Sequence, residues 1–234
     1  MALLALTATA HDFEVDGIYY NINGTEATVT YKGVYSSEYN EYSGSVAIPS
    51  TVTYGGTTYS VTAIGELAFF QCNRLTSVTI PNSVTTIGDE AFMYCSKLTG
   101  ITIPNSVTAI SNGMFYECSG LISVTIPNSV TTIGTNAFYE CNGLTSIIIP
   151  NSVTAVGINA FSYCRKLTSI TIPNSVTTIG DFAFIHCSGL TSVTIGNSVT
   201  TIGDGAFSSC TGLTSIFIPN SVTTIGEYAF IYCI

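Results

Sequence analysis

Residues 75–97 read LTSVTIPNSVTTIGDEAFMYCSK, and the same pattern returns every 23 residues to the end of the chain. The cysteines stand at Cys72, Cys95, Cys118, Cys141, Cys164, Cys187, Cys210 and Cys233, each 23 residues from the next, and the leucines Leu75 to Leu213 and the phenylalanines Phe69, Phe92 and onward to Phe230 keep that period. A fixed period of this length marks a repeat architecture, in which one unit cannot bury its own apolar face and stacking of neighbours supplies the core. Seven units fill residues 75–234, and a degenerate first repeat occupies 43–74. There, Val46, Ile48, Pro49, Val52, Ile64, Gly65, Ala68, Phe69 and Cys72 hold their slots once nine extra residues near YGGTTYSVT are set aside.

Within the unit, Leu75, Val78 and Ile80, and then Val84 and Ile87, alternate with Ser and Thr. Two short β-branched strands are therefore predicted, broken at Pro81-Asn82-Ser83. In GDEAFMYC, the spacing of Ala91, Phe92 and Cys95 fits one face of a short helical turn. Its start would be capped by the slot holding Glu66, Asp89, Asn112, Thr135, Asp181, Asp204 and Glu227. Its end would be marked by Gly120, Gly143, Gly189 and Gly212 in a left-handed conformation, or by Arg74, Lys97 and Lys166 at the helix C-terminus. The expected fold is a repeat solenoid of about eight rungs. Parallel strands lie about 4.8 Å apart, and each buried Phe contributes ~2–3 kcal/mol.

Composition narrows the function. Charged residues make up 8% of the 234, against about 25% in typical soluble domains. Fourteen acidic and five basic side chains leave a net charge of -9, the wrong sign for gripping nucleic-acid phosphates. Apolar residues at 46% are too many for a disordered chain. No apolar run approaches the roughly 20 residues that a membrane span needs.

The repeat LTSVTIPNSVTTIGDEAFMYC closely resembles the BspA-like leucine-rich repeats, over residues 43–234. The resemblance implies a curved, right-handed solenoid displayed on a microbial surface, in a class where several members are implicated in adhesion to host matrix proteins such as fibronectin and fibrinogen, in coaggregation or in stimulating Toll-like receptors. A shared repeat does not carry a shared ligand. Gly196 in the Pro slot, Ser111 in the Gly slot and Met114 in the Ala slot depart from the pattern and are expected to soften single rungs.

The ends differ from the middle. Residues 1–10, MALLALTATA, resemble the tail of a secretory signal, with Leu3 to Leu6 in an apolar core and Ala8-Thr9-Ala10 at a small-residue cleavage site, although no basic leader precedes them. Residues 11–42 read as an N-terminal β-hairpin cap with its turn at Asn23-Gly24. At Cys233-Ile234 a rung without a polar cap is expected, which would favour self-association or a continuation of the repeats.

Candidate chemistry is sparse. A 23-residue cysteine spacing does not suit a zinc site. Cysteines stacked about 5 Å apart have the Cα separation of a disulfide but parallel side chains, so the alternatives are disulfides or a buried thiol column beside Phe. Nucleophilic catalysis needs a base, and the two histidines do not converge: His11 lies at the presumed cleavage junction, and His186 occupies a slot read as an exposed face. Asp181, Asp204 and Glu227 stack on successive rungs, where capping is the plain reading and weak calcium binding the alternative. No enzyme and no cofactor are implied.

The remaining candidate is the outward side of the first strand, which presents Ser77, Thr79, Thr102, Ser123, Thr125, Ser146, Ile148, Ser169, Thr171, Ser192, Thr194, Ser215 and Phe217. Two readings stand. Thr suits an exposed strand and forms hydroxyl ladders between rungs. Alternatively, a broad, low-charge, low-entropy face receives a protein or glycan partner, with Ile148 and Phe217 as anchors. A second aromatic set, Phe70, Tyr94, Tyr116, Tyr139, Tyr163 and Tyr232, is expected on the opposite side. The function that follows is a secreted or cell-surface, non-enzymatic adhesion module. The alternatives are a structural spacer that holds another domain away from the cell and an ice- or glycan-binding threonine array.

Overall fold

The computed structural model describes residues 11–33 and 42–233; the leader-like segment 1–10 and Ile234 lie outside them. The N-terminal strands are β1 (Phe13–Val15), β2 (Ile18–Asn23), β3 (Glu26–Thr30), β4 (Ser43–Ala47), β5 (Thr51–Tyr54) and β6 (Thr57–Ile64). The repeats then contribute β7 (Arg74–Thr79), β8 (Thr86–Ile87), β9 (Gly100–Thr102), β10 (Ala109–Ile110), β11 (Ser123–Thr125), β12 (Thr132–Ile133), β13 (Ala155–Val156), β14 (Ser169–Ile172), β15 (Thr178–Ile179), β16 (Ser192–Ile195), β17 (Thr201–Ile202) and β18 (Thr224–Ile225).

Most units supply a first strand to one parallel ladder, and from β10 onward each supplies a short second strand to another. The first ladder runs β4-β7-β9-β11 and resumes as β14-β16, and the second runs β10-β12-β13-β15-β17-β18. Register advances by one repeat: Ser123 faces Gly100, Ser169 faces Ser192, and Ala155 faces Thr178. The 23-residue period thus becomes a stack of parallel rungs, as the repeat predicts.

The second half of the unit differs from its prediction. Among the described residues there is no helix; six-residue runs of successive turns take its place. Alternate N–H groups have different destinations. Those of Met93, Cys95 and Leu98 close turns onto Glu90, Phe92 and Cys95, while those of Glu90, Phe92 and Tyr94 donate to Asn112, Met114 and Tyr116 on the next rung. A helix directs its N–H groups past the first turn to carbonyls of its own segment, whereas this arrangement sends alternate ones to the neighbouring rung. The cost is left-handed backbone at non-glycine residues, φ +56° at Glu90 and +63° at Tyr94, roughly 1–2 kcal/mol each.

Two further expectations change with the helix. The capping slot bonds forward to the next rung: the Asp89 carboxylate accepts from the Asn112 N–H, and Asp204 accepts from the Glu227 N–H. The glycines after cysteine have no left-handed backbone to supply, because that conformation falls on the residue before each cysteine. They are required for close approach instead. A Cβ on Gly120 would sit 2.3 Å from the Ser96 carbonyl oxygen of the preceding rung. With no helix C-terminus to serve, Arg74, Lys97 and Lys166 lose that role.

The core follows the periodic residues. The Phe69 to Phe230 rings form one column with centroids 5.0–5.6 Å apart and planes within 18°. Beside it the eight cysteines are free thiols, and from Cys95 onward each Sγ–H donates to the carbonyl of a Phe on the preceding rung, as Cys141 does to Phe115 at 3.1 Å. Thr131, Thr154, Thr177 and Thr200 extend hydroxyl-to-carbonyl bonds from rung to rung beside the second strands.

At the N-terminal end, β2 and β3 form the expected hairpin, with its two-residue loop one step later than predicted. Asn23 pairs with Glu26, so the loop is Gly24-Thr25, with Gly24 at φ +63°. A second hairpin, β5-β6, absorbs the extra residues of the degenerate repeat, and β6 pairs with both β3 and β8. The end of the phenylalanine column is closed by Tyr42, which packs 4.6 Å from Phe69 and donates to the Thr30 carbonyl at 2.6 Å.

The three departures are packed into their rungs. Met114 is fully buried, and the Ser111 hydroxyl donates to the Ile87 carbonyl. Gly196 brings its rung so near the last that a Cβ there would lie 2.5 Å from the Pro173 oxygen, and the Asn197 N–H beside it reaches the Asn174 side chain.

Candidate functional site

In the strand that begins each unit, the core takes Val78, Ile101, Val124, Ile147, Ile170 and Val193, and the pleat sends the residues between them outward. Thr79, Thr102, Ser123, Thr125, Ser146, Ile148, Ser169, Thr171, Ser192, Thr194, Ser215 and Phe217 are all exposed, and Ser77 is half-buried. The thirteen predicted residues therefore share one face.

The two readings of this face separate on hydrogen bonding. The hydroxyl ladders run beside the second strands and through Thr145, Thr168 and Thr191. On the outward face the one side-chain bond among the described residues is Ser77 to Ser45, at 2.9 Å. The hydroxyls of Thr79, Thr102, Thr125, Thr171 and Thr194 are turned to solvent and not consumed by the stack.

Two positions interrupt the pattern. Ile148 is 82% exposed and Phe217 75%, the most exposed large apolar residues described. Ser146–Ile149 is not a strand, so the first ladder lapses between β11 and β14, and it ends before the Phe217 segment. A shallow groove of about 830 Å³ runs between them, over Thr171 and Thr194. One wall carries Asn128, Asn151, Asn174 and Asn197, and no charged residue lines it. The asparagine row was not singled out in the sequence. Its signal was present, an Asn after the Pro-slot residue of every full unit, but it read as punctuation between strands.

The other candidates resolve into structural roles. Phe70, Tyr94, Tyr116, Tyr139 and Tyr163 form a half-buried ring ladder, and His186 continues it, stacked 4.6 Å from Tyr163; it is not the freely exposed residue predicted. Arg165 lies 5.5 Å over the Tyr163 ring. Burial, and then the neighbouring Glu140, raise the carboxyl pKa of Glu117, and burial pushes the Tyr116 hydroxyl up to about 12. Asp181 and Asp204 spend an oxygen each on the next rung. No group of three or more potential metal ligands is found among the described residues. Burial pushes the thiols of Cys118, Cys164 and Cys210 up to about 12, so the column is chemically quiet.

The family description "BspA type Leucine rich repeat region" matches the chain in six copies over residues 39–168 and 131–234. A leucine-rich repeat protein of Bacteroides ovatus is similar in structure, with 27% identity and a TM-score of 0.58 over 95% of this chain and 80% of that one. So is a leucine-rich repeat protein of T. pallidum, with 26% identity and a TM-score of 0.59 over 92% of this chain and 86% of that one. No curated protein matches. No helix among the described residues is long and apolar enough to cross a membrane.

Proposed function

We propose that this chain, which belongs to the BspA type of leucine-rich repeat proteins, is a non-enzymatic binding module of the cell surface or secreted space, and that its first-strand face is the surface it presents to a host or microbial macromolecule. The observation that carries this is the uncharged groove on that face, flanked by Ile148 and Phe217, the two most exposed large apolar side chains described. The hydroxyls of Thr171 and Thr194 lie open along it, whereas Thr131, Thr154, Thr177 and Thr200 spend theirs on the preceding rung. Short side chains on a stack of hydrogen-bonded rungs lose little freedom when a partner covers them, so the binding free energy is not consumed in ordering the surface. Matrix proteins of a host are partners of the kind the family resemblance suggests.

The test is adhesion of the purified protein to immobilised host matrix and to microbial cells, comparing the parent with Ile148→Ser and Phe217→Ser. Both side chains project into solvent, so unfolding midpoints should stay within the range of ordinary surface substitutions, about 0.5 kcal/mol. Loss of adhesion at unchanged stability is expected. Adhesion unaffected by both substitutions would refute the assignment of this face and favour a passive spacer.

A further inference from the structure

The groove between Ile148 and Phe217 also specifies the chemistry of its occupant. We infer that it takes a neutral, extended, β-linked polysaccharide lying along the stack; this rests on the strand face being the binding surface.

Three observations lead there. First, the groove is uncharged throughout, on a chain of net charge -9. A charged partner laid into it would be desolvated without a counter-charge. A neutral chain carries no such penalty. Second, the polar groups on offer are the exposed hydroxyls of Thr171 and Thr194 and the side-chain amides of Asn128, Asn151 and Asn197, the Asn174 oxygen being taken by the Asn197 N–H. Hydroxyls both donate and accept, and a carboxamide carries both functions on one group, so they match sugar hydroxyls in either sense. The apolar ends match the C–H faces of pyranose rings, which settle on the face of an aromatic ring such as Phe217.

Third, the period selects the polymer. Parallel rungs lie about 4.8 Å apart at their strands, and the core rings of the four rungs beneath the groove are 5.2–5.5 Å apart, close to the advance of one pyranose unit in an extended β-linked chain. A polypeptide running the same way advances about 3.3 Å per residue and repeats its facing side chains at twice that, so it falls out of step with the rows within two rungs. Ile148, Thr171, Thr194 and Phe217 mark three rung steps, about 15 Å at strand spacing, room for about four sugars.

Calorimetric titration of the whole chain with cellohexaose and chitohexaose, both neutral and β-linked, tests this, with cellotriose, maltohexaose and an anionic β-linked hexauronate as comparisons. At least one neutral β-linked hexamer should bind. Its affinity should exceed that of the trimer and of the α-linked chain, and should be insensitive to salt between roughly 0.05 and 0.5 M because no charges are screened. Phe217→Ser should weaken it by at least about tenfold, as loss of an aromatic anchor does, at an unchanged melting temperature. Absence of binding by both neutral hexamers, equal binding of maltohexaose, or a steep salt dependence would overturn the inference. If a protein ligand is lost in Phe217→Ser while neither hexamer binds, the saccharide falls and the binding face stands. If no ligand of any class depends on Phe217 or Ile148, both fall.

Discussion

Phe138→Ala, in the middle of the phenylalanine column, tests the stack directly. The ring is fully buried, with Phe115 at 5.4 Å and 18° on one side and Phe161 at 5.1 Å and 5° on the other. Truncation removes the buried surface and leaves a ring-sized void that two flat neighbours cannot fill without tilting, so a loss of about 3–5 kcal/mol is expected. Phe230 is the internal control: it is half-buried and, among the described residues, stacks on Phe207 only, at 5.5 Å, so its truncation should cost about half as much or less. Urea unfolding followed by tyrosine fluorescence and far-ultraviolet circular dichroism suits a chain with 14 tyrosines and no tryptophan. In thermal melts the central variant should fall by about 10 °C, at about 2–4 °C per kcal/mol for this length. A cost below about 1 kcal/mol, or equal costs at Phe138 and Phe230, would show that stability does not come from rung-on-rung stacking.

The thiol column gives a pH dependence. Burial holds the folded pKa of Cys118, Cys164 and Cys210 near 12, above the ordinary value of 9.0. The folded state therefore keeps protons that the unfolded chain releases, and the stabilisation is full below about pH 9 and lost as pH rises toward 12. Melting temperatures from pH 7 to 11 should decline over that window, less steeply in Cys164→Ala, and a flat profile would contradict the burial. Alkylation of the native protein should modify half-buried Cys233 first, with the seven inner thiols reacting only on unfolding; mass spectrometry reads the order. Gly157→Ala places a Cβ 2.6 Å from the Gly134 backbone and should cost about 1–3 kcal/mol in urea unfolding through overpacking. Asp204→Ala removes the acceptor of the Glu227 N–H and should cost about 1 kcal/mol, while Asp204→Asn, which keeps an oxygen there, should cost much less.

Where the sequence was legible, and where it was not, follows from what a pattern of side chains reports. The period placed Leu98, Phe115, Cys141 and their counterparts inside and Thr79, Thr102 and Phe217 outside, because burial depends on which slot repeats. It did not report the use of backbone donors. Ala91, Phe92 and Cys95 point inward equally well from a helical turn or from a string of turns, so GDEAFMYC read as helical. The deciding fact was that the N–H groups of Glu90, Phe92 and Tyr94 bond to another rung, which becomes visible only once the rungs are stacked. Gly120 illustrates the same limit, since its lack of a Cβ serves an approach to Ser96 two dozen residues away and not a local turn. The asparagine row stayed hidden because a residue present in every unit looks like scaffold until a groove is seen beside it.

A stack of near-identical rungs separates stability from recognition along a single strand. The inward slots have little freedom: each is flanked above and below by its own kind, so a change of volume is felt by three rungs at once. The outward slots have almost no such coupling, since among the described residues only Ser77 to Ser45 bonds across rungs there and a substitution disturbs no column. Ile148 and Phe217 show the consequence within one molecule. Their rungs keep buried Leu144 and Leu213 and contribute Phe161 and Phe230 to an unbroken ring column, yet the outward residue has changed from hydroxyl to hydrocarbon. What distinguishes this surface from a featureless repeat therefore lies in its exceptions. On the strand face the two exceptions bound one groove, with an aliphatic side chain at one end, an aromatic ring at the other and the repeating Thr171 and Thr194 between them, so the proposed ligand would be located by the exceptions and matched by the repeat.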